Sequence, residues 1–126
     1  MSMAHAVLWL DHHHAHLQQF DHTHVQFSAI KDHPVETARH QSGVRTEHEY
    51  FGAVCDAIGG SMTVLVTGSG RALDDFKHYV GKHRAELVPA IAGWETVDHP
   101  SDGELVAMAK TFFIAHDRMQ GEPVHR

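Results

Sequence analysis

The sequence has a single cysteine, Cys55, so no disulfide can form within the chain. One lone thiol fits a protein of the reducing cytoplasm. No apolar run approaches the roughly 18 residues that a helix needs to cross a bilayer, and the first residues lack the basic segment of a secretory signal. We therefore predict a cytoplasmic protein. Cys55 occupies an apolar helical position, which favours a buried thiol over a nucleophile.

Basic residues are also scarce. The chain has 10 lysines and arginines against 16 aspartates and glutamates, and its formal charge is −6 with the histidines neutral. This balance does not indicate a general binder of polyanions, although a local basic patch stays open. Histidine, by contrast, is abundant, with 15 residues. Protonating all of them in mild acid would reverse the sign of the net charge.

The length and the apolar residues predict one α/β domain. A chain of 126 residues, 42% of them hydrophobic, is large enough to bury one core. The segment AHAVLWLD, residues 4–11, is continuously apolar, which is typical of a strand buried on both faces. The next segments, HAHLQQF and THVQFSAI, alternate apolar and polar residues, as strands with one buried face do. In the hairpin that joins them, pairing Leu17 with Val25 or Thr23 would bring the apolar faces together.

This predicted pairing places His14, His16 and His24 on one polar face, within the histidine-rich stretch LDHHHAHLQQFDHTH. Imidazoles that converge with free ring nitrogens bind zinc, nickel or copper. The alternative is a solvated sheet face that uses histidine as its polar residue, since no HExxH or Cys-His spacing supports a dedicated site. We expect no resident cofactor, and at most adventitious zinc or nickel. Because the histidines are interleaved with strand residues, they do not resemble an appended tag.

The segment after the hairpin, residues 31–45, shows no periodicity and predicts a long exposed loop. A first helix then begins at a capping box, with Thr46 as the N-cap and Glu49 three residues further on. The predicted core face of this helix consists of Phe51, Val54, Cys55 and Ile58.

Alternating strands and helices complete the predicted fold. A fourth strand, MTVLVT, leads through TGSG into a second helix, and a fifth strand, AGWETVD, precedes a third helix capped by Ser101 and Glu104. The second helix has the apolar stripe Leu73, Phe76, Val80 and Leu87, and the third presents Leu105, Met108, Ala109 and Phe112.

The resulting order, β-β-β-α-β-α-β-α, predicts a three-layer RNase H-like fold with a mixed five-stranded sheet. We expect the strand order 3-2-1-4-5, with the second strand antiparallel. Residues 1–119 form the predicted domain, and residues 120–126 a flexible C-terminal tail.

Three motifs carry a family likeness: VLWLDHHHAHL, VLVTGSGRALDDFKHYV and GWETVDHPSDGELVAMAKTFF. Together with the three leading strands, they resemble the small bacterial translational machinery proteins. These in turn are similar to the central domain of the archaeal and eukaryotic class-1 peptide chain release factors and of Pelota. The resemblance covers most of the chain. It implies the RNase H-like fold of translational machinery components, and it implies that the ribosome or RNA is a binding partner.

The catalytic motif of the release factors is missing, however. Their Gly-Gly-Gln tripeptide lies between the third strand and the first helix, where this chain reads ARHQSGVRTEHE. Gln41 is present, but Arg39 and His40 replace the two glycines and lack their backbone freedom. Pelota also lacks the tripeptide while acting on stalled ribosomes. The resemblance therefore implies a non-catalytic domain that contacts RNA or the ribosome, through Lys31, Arg39, His40, Gln41 and Arg45.

Other candidate sites are weaker. The TGSGR turn could hold an anion on Gly68, Ser69, Gly70 and Arg71, although a tight turn that needs glycine for its geometry is the favoured interpretation. Asp98, His99 and Asp102 cluster where open α/β sheets bind ligands, although a capped helix start explains part of that segment.

We retain two alternatives to RNA or ribosome contact. The first is a histidine-rich metal-binding protein. The second is a divalent-metal nuclease of RNase H-like fold, with Asp11 and either Glu47 or Glu49 as ligands. The nuclease hypothesis is weakened because the fourth strand ends without a carboxylate. An edge strand bearing histidines could also pair between two copies of the chain, giving a homodimer.

Overall fold

The computed structural model describes residues 3–21, 24–31, 43–59 and 61–119, and within them strands and helices follow the predicted order. The strands are β1 (Met3–Leu10), β2 (His14–Phe20), β3 (Val25–Lys31), β4 (Ser61–Gly68) and β5 (Ile91–Thr96). The helices are α1 (Gly43–Ile58), α2 (Gly70–His83) and α3 (Asp102–Met119), with a 3-10 helix at Ala85–Ala90.

The strands form one mixed sheet in the order β3-β2-β1-β4-β5, which confirms the predicted topology. β2 runs antiparallel to both β1 and β3, whereas β4 runs parallel to β1 and β5 parallel to β4. β1 is therefore the central strand. Its residues from Ala6 to Leu10 are all buried, as a continuous apolar run predicts.

The central strand divides the core into two parts because its side chains alternate between the faces of the sheet. Leu8 and Leu10 point to the face covered by α1 and α2, in a cluster with Phe51 and Phe76. Val7 and Trp9 point to the opposite face and pack on α3. The sheet, with α1 and α2 on one face and α3 on the other, makes the three layers of the predicted fold.

Two helix boundaries differ from their predictions. α1 begins at Gly43, three residues before the predicted N-cap Thr46, so the predicted capping box falls inside the helix. α2 ends at His83, and Leu87, predicted to extend its stripe, is buried on the 3-10 helix instead. A run of apolar residues at helical spacing cannot distinguish one continuous helix from two short ones that cover the same core.

The capping box of α3 is confirmed. The Ser101 hydroxyl accepts a hydrogen bond from the Glu104 backbone N–H at 3.1 Å, and the Glu104 carboxylate accepts one from the Ser101 N–H at 2.8 Å. Both bonds satisfy N–H groups that have no partner within a helix.

Replacing Ser101 by alanine is expected to lower the free energy of unfolding by about 1 kcal/mol, since one of these N–H groups loses its acceptor. Urea denaturation measures the change. Thr111→Ala, at an exposed position in the middle of the same helix, is the control and should leave stability unchanged or slightly raised. An equal loss in both variants would show that the hydroxyl contributes nothing through capping.

The predicted register of the β2–β3 hairpin is wrong. The structure pairs His14 with Lys31 and Phe20 with Val25, so that Leu17 lies opposite Ser28 rather than Val25 or Thr23. The turn fixes this register. The Asp21 N–H donates to the His24 carbonyl at 3.0 Å, and the Asp21 carboxylate accepts the His24 N–H at 2.8 Å.

The observed register puts apolar β3 side chains on the α3 side of the sheet, where they remain largely exposed. Val25 and Phe27 are 58% and 57% exposed there. β3 is also an edge strand, so its edge is open to a second copy of the chain, and the predicted homodimer stays a prediction.

In the described part of the chain, no helix is long and apolar enough to cross a membrane. The predicted tail, residues 120–126, lies outside the described residues.

Candidate functional site

The histidine face that the sequence predicts is not assembled. Paired residues of an antiparallel ladder share a face. His14 and His16 are therefore on the α3 side with Lys31 and Ala29. His24 lies at the other end of β2, beside Asp21 in the turn, and the observed pairing aligns it with the opposite face. The prediction of a site at His14, His16 and His24 loses its geometric basis, because it depended on the wrong register.

A different group of side chains converges at the end of β1. His12 follows this strand, Glu47 is on α1 and Asp75 is on α2, and one potential ligand atom of each lies within 4.8 Å of the others. His12 Nε2 is 2.9 Å from Asp75 Oδ2. All three residues are partly buried. In the described residues, this is the one group of three or more His, Cys, Asp or Glu residues with such spacing.

The turn that carries His12 is held by its own hydrogen bonds. The Asp11 carboxylate accepts the backbone N–H groups of His13 at 2.8 Å and His14 at 2.7 Å. The Tyr50 hydroxyl of α1 donates to the Asp11 carbonyl at 3.0 Å. Burial alone would raise the pKa of Asp11, but these backbone hydrogen bonds offset it and hold the pKa below its ordinary value. Asp11 is thus a turn residue rather than a member of the cluster.

A cleft between α1 and α2 adjoins the cluster. It has a volume of about 220 Å³, and Glu47 and Asp75 line it together with His48, His78, Tyr79 and His83. The rings contact one another at tilted angles, with centroids 5.2 Å apart for His48 and Tyr79 and 4.9 Å apart for Tyr79 and His83. Burial raises the pKa of the Tyr79 phenol. Lys82 and Phe51 complete the lining, so the cleft carries imidazole, carboxylate, phenol and ammonium groups.

The predicted anion-binding turn has a structural explanation. Ser69 donates its backbone N–H to the Leu10 carbonyl at 3.2 Å, and the Gly68 carbonyl accepts from Val97 at 2.8 Å. A Cβ on Gly68 would lie 2.5 Å from the Leu10 carbonyl oxygen, which accounts for the glycine. Gly70 and Arg71 begin α2 and are exposed. Anion binding at this turn stays a prediction.

The residues predicted to contact RNA fall mostly outside the described part of the chain. Lys31 is exposed at the end of β3. Arg39, His40 and Gln41 lie outside the described residues. Arg45 is in the first turn of α1, because this helix begins earlier than predicted, and β3 ends one residue later than predicted, at Lys31. The structure therefore neither groups nor separates these five residues.

A second groove lies on the α3 side, where Asp98, His99 and Asp102 were predicted to cluster. Its walls include Trp9, His16, His99 and Asp102, and the Trp9 and His99 rings are 5.1 Å apart. The Trp9 indole N–H donates to the Val97 carbonyl at 3.0 Å. Asp98 instead lines a neighbouring depression with His99 and Glu104. The predicted cluster is thus split between two shallow surfaces.

The lone thiol is confirmed as buried. Cys55 is on the inner side of α1 and is fully buried in the core. Burial raises the pKa of this thiol to about 12. Because the thiolate is the nucleophilic form, the buried Cys55 thiol is a poor nucleophile near neutral pH.

The fold defined by these elements is an α/β fold of the RNase H-like class, in the arrangement predicted for release-factor central domains. Solved structures confirm the likeness. Pelota of Archaeoglobus fulgidus matches with a TM-score of 0.66 and 14% identity, over 97% of this chain and 36% of that one. Pelota of Thermoplasma acidophilum matches at 0.61 with 16% identity, over 86% of this chain and 32% of that one.

An archaeal translation termination factor, aRF1, also matches, with a TM-score of 0.52 and 12% identity over 93% of this chain and 39% of that one. The chain thus spans about a third of the length of these proteins. Sequence comparison adds nothing further, since no protein-family profile and no curated protein matches the chain. At these identities the comparisons establish the fold.

Proposed function

We propose that this chain is a non-catalytic Pelota-like domain that contacts RNA or the ribosome in the cytoplasm. The observation that supports this proposal most is the structural likeness to two Pelota proteins and a translation termination factor. The absence of a Gly-Gly-Gln tripeptide from the segment before α1 supports a role without peptide release.

The contact segment that we propose runs from the last residue of β3 to the first turn of α1. Lys31, Arg39 and Arg45 supply three cations there, with His40 and Gln41 between them. A chain with a formal charge of −6 needs such a local patch to approach a polyanion. Phosphate contacts of this kind are sequence-independent and weaken as salt is raised.

Co-sedimentation with ribosomes in sucrose gradients tests the proposal. We expect the wild-type chain to travel with ribosomes at low salt and to be released as salt is raised. Reversing charge in the double variant Arg39→Glu/Arg45→Glu should lower the bound fraction by roughly tenfold or more, since two phosphate contacts become repulsive.

The matched control is Lys82→Glu/Lys110→Glu, which makes the same charge change at exposed positions of α2 and α3. Equal loss of binding in both double variants would point to bulk charge instead of the proposed segment. Free sedimentation of the wild type at low salt would reject ribosome contact, and binding to isolated ribosomal RNA then tests RNA contact separately.

The nuclease alternative stays a prediction, and the structure brings together only part of its predicted ligand set. Glu47 lies in the observed cluster, whereas Asp11 is engaged in its turn. Release of labelled oligonucleotide with Mg²⁺ or Mn²⁺ would support it.

A further inference from the structure

We propose that His12, Glu47 and Asp75 form a binding site for a borderline divalent metal ion of the zinc class. The three residues come from three elements: the turn after β1, the start of α1 and the first half of α2. Their ligand atoms already lie within 4.8 Å of one another. None of the three residues belongs to the set proposed to contact RNA or the ribosome, so the two proposals can fail separately.

The donor set selects the class of metal. One imidazole and two carboxylates form a mixed nitrogen and oxygen set, which suits Zn²⁺ and similar transition ions. Mg²⁺ and Ca²⁺ prefer oxygen donors alone and larger coordination numbers. Two carboxylates also bring two negative charges, which a divalent cation neutralises. Bringing two carboxylates together without a cation would instead cost repulsion.

The ligand atoms lie near the spacing that a zinc ion requires. Tetrahedral zinc with bonds of about 2.0–2.1 Å holds its ligand atoms roughly 3.3 Å apart. His12 Nε2 and Asp75 Oδ2 are 2.9 Å apart, and their side chains are 36% and 42% exposed, so both can adjust. The backbone beneath His12 is fixed by the Asp11 hydrogen bonds and the Tyr50 hydroxyl. A rigid backbone with adjustable side chains suits metal entry from solvent.

The surroundings point to an open site rather than a closed structural one. Three protein ligands leave a coordination position free, as in sites where zinc binds water or a small molecule. That position can face the cleft of about 220 Å³, whose walls carry His48, His78 and His83.

Calorimetric titration with ZnCl2 near neutral pH tests the proposal on the full chain without a histidine tag. We expect one zinc ion per chain, with micromolar or tighter affinity. The near-isosteric double variant Glu47→Gln/Asp75→Asn should lose at least about 100-fold in affinity, because removing even an outer-shell partner costs 10–100-fold. Co²⁺ in place of Zn²⁺ should give a visible absorption spectrum that the variant lacks.

The control is Glu49→Gln/Asp74→Asn, which makes the same charge change at exposed positions one or two residues away on the same helices. It should bind zinc as the wild type does. Thermal unfolding without metal checks that both double variants fold, and only the wild type and the control should be stabilised by added zinc.

A histidine-rich chain can also bind zinc adventitiously, so a third variant removes His14, His16 and His24 together. We expect it to keep the tight site. Loss of the tight site in this triple variant but not in Glu47→Gln/Asp75→Asn would overturn the proposal, as would the absence of any zinc binding by the wild type.

Discussion

Replacing Gly68 by alanine is expected to lower the free energy of unfolding by about 3 kcal/mol, the upper part of the range for overpacking a close-packed interior. The added Cβ would lie 2.5 Å from the Leu10 carbonyl oxygen, a backbone atom that cannot rotate away. Gly68 and Leu10 are also paired in the parallel ladder between β4 and β1. The two central strands would have to separate at this end of the sheet.

The change should extend beyond global stability. Leu10 is followed at once by the turn that carries Asp11 and His12, and the Leu10 carbonyl accepts the Ser69 N–H at 3.2 Å. Displacing the end of β1 moves His12 relative to Glu47 on α1. We therefore expect weaker zinc binding in Gly68→Ala as well as a lower midpoint in urea denaturation.

Gly81→Ala is the matched control. Gly81 is in α2, and a Cβ there would meet no atom within 4 Å. Alanine at an open helical position should stabilise the protein by about 0.5–1 kcal/mol, because glycine loses more backbone entropy on folding. If Gly68→Ala were as stable as the wild type, β1 and β4 would not approach as closely as described.

The overall topology was predictable because it depends on patterns local in sequence. A continuous apolar run marked β1 as buried on both faces, and alternation marked β2. The Ser101 and Glu104 pair placed the start of α3. Each signal is set by a few neighbouring residues and the period of its element. The right-handed connections of parallel strands then leave few arrangements.

The register of the β2–β3 hairpin was not predictable in the same way. Its apolar residues favour matching faces, which would pair Leu17 with Val25. The Asp21–His24 hydrogen bonds instead close a turn that shifts the pairing by an odd number of residues. The cost is the exposure of Phe27. Burial patterns can only predict a register when both strands are covered on the same face, and β3 is an edge strand.

The candidate metal site was missed because its members are far apart in sequence. His12 and Asp75 are 63 residues apart and come together only when α2 packs over the sheet. The sequence predicted either Glu47 or Glu49 as a ligand, but beside Asp11 instead of His12. One signal could have found the site: His12 follows β1, Asp75 is in the second turn of the helix that follows β4, and the carboxyl ends of neighbouring parallel strands meet at one edge.

Replacing Phe76 by alanine should have the largest effect on stability, a loss of about 4 kcal/mol, since it removes a whole ring from a close-packed core. Phe76 on α2 is completely buried. Its ring lies 5.2 Å from that of Phe51 on α1 and 6.2 Å from that of Trp94 on β5. One side chain therefore joins both helices of this layer to the sheet.

The ring of Phe76 also sets the distance between the helices that carry Glu47 and Asp75. Asp75 immediately precedes Phe76, so a collapse of α2 toward the cavity would move the Asp75 carboxylate.

The control is Ile114→Ala on α3, at a residue that is 56% exposed. This change removes apolar atoms without leaving a cavity and should change the free energy of unfolding by less than about 0.5 kcal/mol. Urea denaturation ranks the two variants. A loss below about 1.5 kcal/mol in Phe76→Ala would mean that α1 and α2 can repack without this ring, and the metal site would then need another source of rigidity.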